Sequence, residues 1–251
     1  MKLTYVPLLP RMRELYAMPR GMERFRAYLA TMVTADGQDL DLPPLVLMNP
    51  MAKEHVGALL DALLALDADG LAARALAEAA PSLAEVDGDF KAALVVADDL
   101  KGGWTSRWAN EYKLRFEQGP HLKRFWVSGV LWSSEPASAQ AVRESILCAV
   151  HRAAYIVRRG PAVTIRDMLA QEGAVLAAAG CTGPVLDEDE LAYTRAVLAP
   201  CLEERGMRAG IELLFGDEAA RSLGMTPRGL GPRAGLALAL YDARAGARLA
   251  H

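Results

Sequence analysis

A chain of 251 residues, 52% of them hydrophobic, carries enough apolar side chain for a sizeable core, and 6% aromatics amid abundant Ala and Leu favours helices over an all-β sandwich or barrel. A formal charge of −3 supplies no global positive field, which argues against nucleic acid as a partner. Cys148, Cys181 and Cys201 are widely spaced and form no CxxC pair, which excludes a disulfide framework or a cysteine-rich zinc site and fits a reducing cytoplasm.

The opening residues, MKLTYVPLLPRMRELYAMPRGMERFR, place prolines and arginines where a signal peptide needs an unbroken apolar run, and no stretch approaches ~18 uninterrupted apolar residues. A cytoplasmic protein with no membrane partner is expected. Residues 11–33 read as helix broken around Pro19-Arg20-Gly21, within a helical segment reaching to about residue 40. LPPLVLMNP (42–50) is a short apolar run bounded by prolines and reads as a strand, followed by a helix ending at Gly70 and an Ala-rich helix within 67–89.

The same strand-then-helix order recurs in FKAALVVADD (90–99), with a helix from about Thr105 to Glu117, and in RFWVSGVLWSSE (124–135), with a helix from about Ser138 to Arg159. Continuous rather than alternating apolar strands are what a sheet covered on both faces requires. Residues 164–179 and 187–205 read as consecutive helices, the second opened by Asp187, Glu188, Asp189 and Glu190, whose charge suits a helix start. GIELLFGDEAARSLG (210–224) and GLALALYDARAG (235–246) read either as two further strands or as Leu-rich helices. The expectation is a single α/β domain over 1–251: a mostly parallel sheet of three to five strands flanked by helices, with a helical insert or cap at about 160–206.

Three constellations carry possible chemistry. In VVADDLKGGWTSRW (95–108), Asp98 and Asp99 arrive at the carboxyl end of a strand, the edge where open α/β sheets place their ligands. Gly102 and Gly103 allow a tight turn, Trp104 and Thr105 lead into a helix start, and Lys101 and Arg107 offset negative charge, so Asp98 and Asp99 are candidates for a divalent metal beside an anionic ligand. The competing reading is a braced turn with tryptophans packed between sheet and helix. At ~100° per residue, Trp104, Trp108, Glu111 and Arg115 share one helix face.

In ESILCAVHRAAY, Glu144, Cys148, His151 and Tyr155 follow one another at spacings that bring them into a narrow sector of a helix, where Cys148, His151 and Glu144 can serve as metal ligands, or His151 as a general base oriented by Glu144 or Tyr155; the competing reading is a satisfied, partly buried histidine. Parallel-sheet logic also brings Asn49, and Ser133, Ser134 and Glu135, to the edge that holds Asp98, with His55 a turn of helix beyond Asn49. No GxSxG elbow is present, which weakens a serine-nucleophile reading. Together these residues suggest a small-molecule-binding protein, an enzyme acting on a small anionic metabolite with or without a metal. The alternative is a non-catalytic binding or homo-oligomeric assembly module using Met12, Met18, Met22 and Met32 of the N-terminal helices.

Overall fold

The computed structural model describes residues 1–100 and 106–249, with backbone only at Pro120, His121 and 247–249. Its contacts divide it into two compact units, Met1–Ser106 with Gly119–Ala153, and Arg107–Gln118 with Ala154–His251.

The first unit opens with β1 (Lys2–Tyr5), α1 (Leu9–Ala17) and α2 (Met22–Met32), then a 3-10 turn at Pro43–Leu47, α3 (Glu54–Ala65), α4 (Ala68–Leu83) and β2 (Asp89–Ala97). The chain next contributes α5 (Arg107–Phe116) to the second unit and returns through the short α6 (Gly119–Leu122) to β3 (Trp126–Trp132) and α7 (Ala139–Arg159). Among the described residues the strands form one parallel sheet in the order β1-β2-β3. Ala92 to Ala97 of β2 are all buried, as a strand covered on both faces must be, and their continuous apolar run is the reason they form the middle of the sheet.

Ala97 pairs with Trp132, so β2 and β3 end level and deliver Asp98-Asp99 and Ser133-Ser134 side by side. β1 ends earlier, with Tyr5 opposite Ala92. Gly129 of β3 lets α7 approach the sheet: a Cβ there would lie 2.9 Å from Leu94 Cδ2 and 3.1 Å from the Ile146 Cα.

Two expectations need correction. The run at 42–50 is not a strand; Pro43 and Pro44 have no N–H to offer a ladder, and proline is at home in the first turn of a helix, so Pro43–Leu47 coils and packs against β2 and β3. The strand beside β2 comes instead from Lys2–Tyr5, inside the segment expected to be helical. The break at Pro19-Arg20-Gly21 does separate α1 from α2, and Met12 and Met32 enter the core while Met22 is 58% exposed.

The second unit is helical among the described residues. It holds α5, the end of α7 from Ala154, α8 (Ile165–Ala178), α9 (Glu188–Leu198) with a 3-10 turn at Ala199–Cys201, α10 (Gly206–Gly210), a π-turn at Ile211–Phe215, α11 (Asp217–Ser222) and α12 (Ala234–Leu249). The strand readings at 210–215 and 235–241 therefore give way to the helical ones. Thr164 with Asp167, and Asp187 with Glu190, form capping boxes that satisfy the first N–H groups of α8 and α9. Gly173 lets α8 approach α12, since a Cβ there would fall 2.5 Å from the Ala239 carbonyl. No helix among the described residues is long and apolar enough to cross a membrane.

Gly129→Ala is expected to destabilise the first unit by about 1–3 kcal/mol, the typical cost of overpacking a filled contact, read as a lower urea midpoint at unchanged slope.

Candidate functional site

The level ends of β2 and β3 place Asp98 where four donors converge. Asn49 Nδ2 donates to Oδ2 at 2.9 Å, the Ser133 hydroxyl to Oδ1 at 3.0 Å and the Leu100 N–H to Oδ1 at 3.3 Å, while His55 Nε2 stands 2.8 Å from Oδ1. Asp98 is 2% exposed. Burial by itself would raise this carboxyl, but the hydrogen bonds from His55, Asn49, Ser133 and Leu100 outweigh burial and hold it below the ordinary carboxylate value. Asp98 is therefore an anion at neutral pH.

The route by which Asn49 and His55 reach it is short. Asn49 leaves the 3-10 turn and closes a local turn, its Oδ1 accepting the Met51 N–H at 3.0 Å and its carbonyl the Ala52 N–H at 3.0 Å. Residue 54 then starts α3, which puts His55 in its first turn. From the other side, the Tyr16 hydroxyl donates to the Asn49 carbonyl at 2.6 Å. The strand assigned to 42–50 was wrong, yet Asn49 meets Asp98, arriving from a 3-10 turn rather than from a strand end.

His55 is half-buried, and its two ring nitrogens differ. With Asp98 ionised, Nε2 carries the proton and donates to Oδ1. Nδ1 is buried and has no hydrogen-bond partner among the described residues. A buried polar atom left unsatisfied costs free energy unless something bonds to it.

Asp99 is held differently. Its Oδ1 accepts the Ser134 N–H at 2.9 Å and its Oδ2 the Ser134 hydroxyl at 2.6 Å, while its own N–H donates to Ser133 Oγ at 3.1 Å. Ser133 Oγ also lies 3.1 Å from Asp99 Oδ1, so its single proton serves one of two carboxylates at a time. Asp99 ties the end of β2 to the end of β3, and Glu135 follows on the exposed surface.

Of the remaining expected residues, Lys101, Gly102, Gly103, Trp104 and Thr105 lie outside the described residues. Glu144, Cys148 and His151 lie along α7, all half-buried, with Glu144 accepting from Gln140 Nε2 at 2.9 Å. The histidine bonded to Asp98 is His55. Among the described residues no group of three or more His, Cys, Asp and Glu side chains is placed to hold a metal ion.

Arg107 belongs to an ion cluster in the second unit, centred on Glu111, which is 5% exposed. Arg233 grips Glu111 with two bonds of 2.6 and 2.9 Å, Arg115 Nη2 lies 2.7 Å away and Arg107 Nε 3.6 Å away, and Arg115 also pairs with the fully buried Glu172. Burial would raise the Glu111 carboxyl, but the charges of Arg115 and Arg233 hold it far below the carboxylate range. The expected face of Trp108, Glu111 and Arg115 thus resolves as an ion cluster roofed by an aromatic ring, with the guanidinium groups of Arg107 and Arg233 5.5 and 5.3 Å from the Trp108 ring centre.

Tyr16 escaped sequence reasoning altogether, because it acts on a main-chain carbonyl and no spacing marks such a contact.

Glu111→Gln leaves half-buried guanidinium groups short of a counter-charge and is expected to cost roughly 3 kcal/mol, the low end for breaking a buried ion pair. Because the folded-state pKa of Glu111 is depressed, its contribution is complete above the ordinary value of 4.5 and is lost as pH falls through the lower folded value. Between about pH 5 and pH 2 the unmodified chain is therefore expected to lose more stability than Glu111→Gln, as read by thermal unfolding at each pH. Compared with protein-family models, curated proteins and solved structures, the chain matches none.

Proposed function

We propose that this chain is an enzyme for a small metabolite, in which His55 moves a proton at the carboxyl edge of the sheet and Asp98 orients the imidazole. The observation that carries the reading is the asymmetry of His55, bonded to a buried carboxylate through Nε2 and unpartnered at Nδ1. For Nδ1 to take a proton from a substrate O–H, N–H or activated C–H, the substrate has to displace what covers this buried nitrogen; the imidazolium then formed is stabilised through Nε2–H by the Asp98 charge. Asn49, Ser133 and the Leu100 N–H fix the carboxylate so that it does not rotate away.

Both oxygens of Asp98 already accept protein donors, which favours an orienting role for it over metal ligation. The anionic character expected of the metabolite leaned on Lys101, outside the described residues, and on Arg107, which serves the Glu111 cluster. The reading therefore asks of the metabolite only a transferable proton.

The test is a thermal-shift screen of small metabolites followed by turnover assays on the hits. His55→Asn is expected to lower kcat by about 10²–10⁴-fold, the usual worth of a positioned acid or base, with a smaller loss of melting temperature than Asp98→Asn because it removes one donor to the carboxylate. Asp98→Asn is expected to lower both, because it disturbs four hydrogen bonds to a buried group. Full turnover in His55→Asn would remove the proposal.

A further inference from the structure

Resting on that reading, we propose that Arg24 and Tyr16, from the N-terminal helices, are positioning residues that set the orientation of the His55 imidazole against Asp98. Arg24 is a buried cation, 7% exposed, whose hydrogen-bond acceptors are all main-chain carbonyls. Its Nε and Nη2 bond the Met18 carbonyl at 2.9 and 2.5 Å, and its Nη1 lies 3.3 Å from the carbonyls of both Pro50 and Ala52. The guanidinium sits 5.4 Å from the centre of the Tyr16 ring, whose hydroxyl donates to the Asn49 carbonyl.

These contacts have one target. Met18 caps the end of α1, so Arg24 of α2 locks the α1–α2 connection with one side of its fork. With the other side, and with Tyr16, the pair holds the carbonyls of Asn49, Pro50 and Ala52. Residues 49–53 lie outside any helix or strand and begin with Asn49, which bonds Asp98 directly; His55 follows three residues after Ala52. A segment of this kind has no ladder of its own to fix it, so side chains from elsewhere must supply the restraint.

The choice of residue supports the assignment. Among the described residues no carboxylate hydrogen-bonds this buried guanidinium, and although Glu54 offsets part of the cost, burial pulls the Arg24 pKa down from its ordinary value. A methionine or leucine would fill the space without that cost. Only the planar fork of arginine reaches three carbonyls on two segments at once, so the feature that justifies the charge is the restraint it imposes on 50–52.

The experiment uses the full chain labelled with ¹⁵N and reads the imidazole resonances of His55 in Tyr16→Phe and Arg24→Gln, with Asp98→Asn as benchmark and Glu111→Gln as a control for general loss of stability. In the parent, the Nε2–H proton bonded to Asp98 is expected to exchange slowly with solvent. Loosening the clamp is expected to speed that exchange about tenfold, the factor that a lost hydrogen bond commands, and to bring in the Nδ1–H tautomer, while Glu111→Gln leaves the His55 signals in place. Tyr16→Phe keeps the ring that Arg24 stacks on and decides the matter if Arg24→Gln does not fold. Unchanged His55 signals in a folded Tyr16→Phe chain, or equal changes in Glu111→Gln, would overturn the proposal. Since the readout needs no substrate, a failure of His55 in turnover assays is separable from a failure of the clamp.

Discussion

A buried carboxylate is the constraint around which the first unit is arranged. Asp98 emerges from the most deeply buried strand, and its charge is tolerable there only because donors are brought to it from several places in the chain: Asn49, His55, the Leu100 N–H and Ser133. Each donor places a demand on the element that carries it. β3 must end level with β2, the 3-10 turn must release Asn49 beside the strand end, and α3 must start where its first turn faces the sheet. The polar requirement thus fixes the relative placement of elements whose apolar faces alone would tolerate sliding.

The second unit buries a carboxylate by the opposite means. Glu111 is surrounded by guanidinium groups, which neutralise it and consume its oxygens in ion pairs. Asp98 receives mostly neutral donors, which stabilise the anion without cancelling its charge. The two carboxylates are thus satisfied differently, Glu111 by matched charge and Asp98 chiefly by hydrogen bonds.

How much of this could be read in the residues follows from physical scale. β2 was legible because Ala92–Ala97 form an unbroken run of six Ala, Leu and Val residues that allows few other fates, and the placement of Asp98 came with it. β1 was not, since four residues of mild alternation carry almost no signal and the strand depends on its partner. PPLVL shows the ambiguity of short apolar runs, where composition suggested a strand and the missing proline donors decided for a helical turn. Asn49 and His55 do meet Asp98, but they arrive from a 3-10 turn and the start of α3 rather than from a strand end. Helical spacing drew attention to Glu144 and His151, but spacing gives only a common face and not what that face meets. Arg24 and Tyr16 act through carbonyls, which every residue has, so their role leaves no trace in sequence pattern.

The hydroxyl of Ser133 carries a further consequence. It has one hydrogen and two anionic neighbours at nearly the same distance, 3.0 Å from Asp98 and 3.1 Å from Asp99. A bond rotation, among the fastest motions a side chain makes, reassigns that hydrogen from one aspartate to the other. With the hydrogen on Asp98 the imidazole competes for its oxygen; with it on Asp99 the imidazole holds that oxygen more firmly. The single hydrogen of Ser133 thus links Asp99 to the same Asp98 oxygen that His55 bonds.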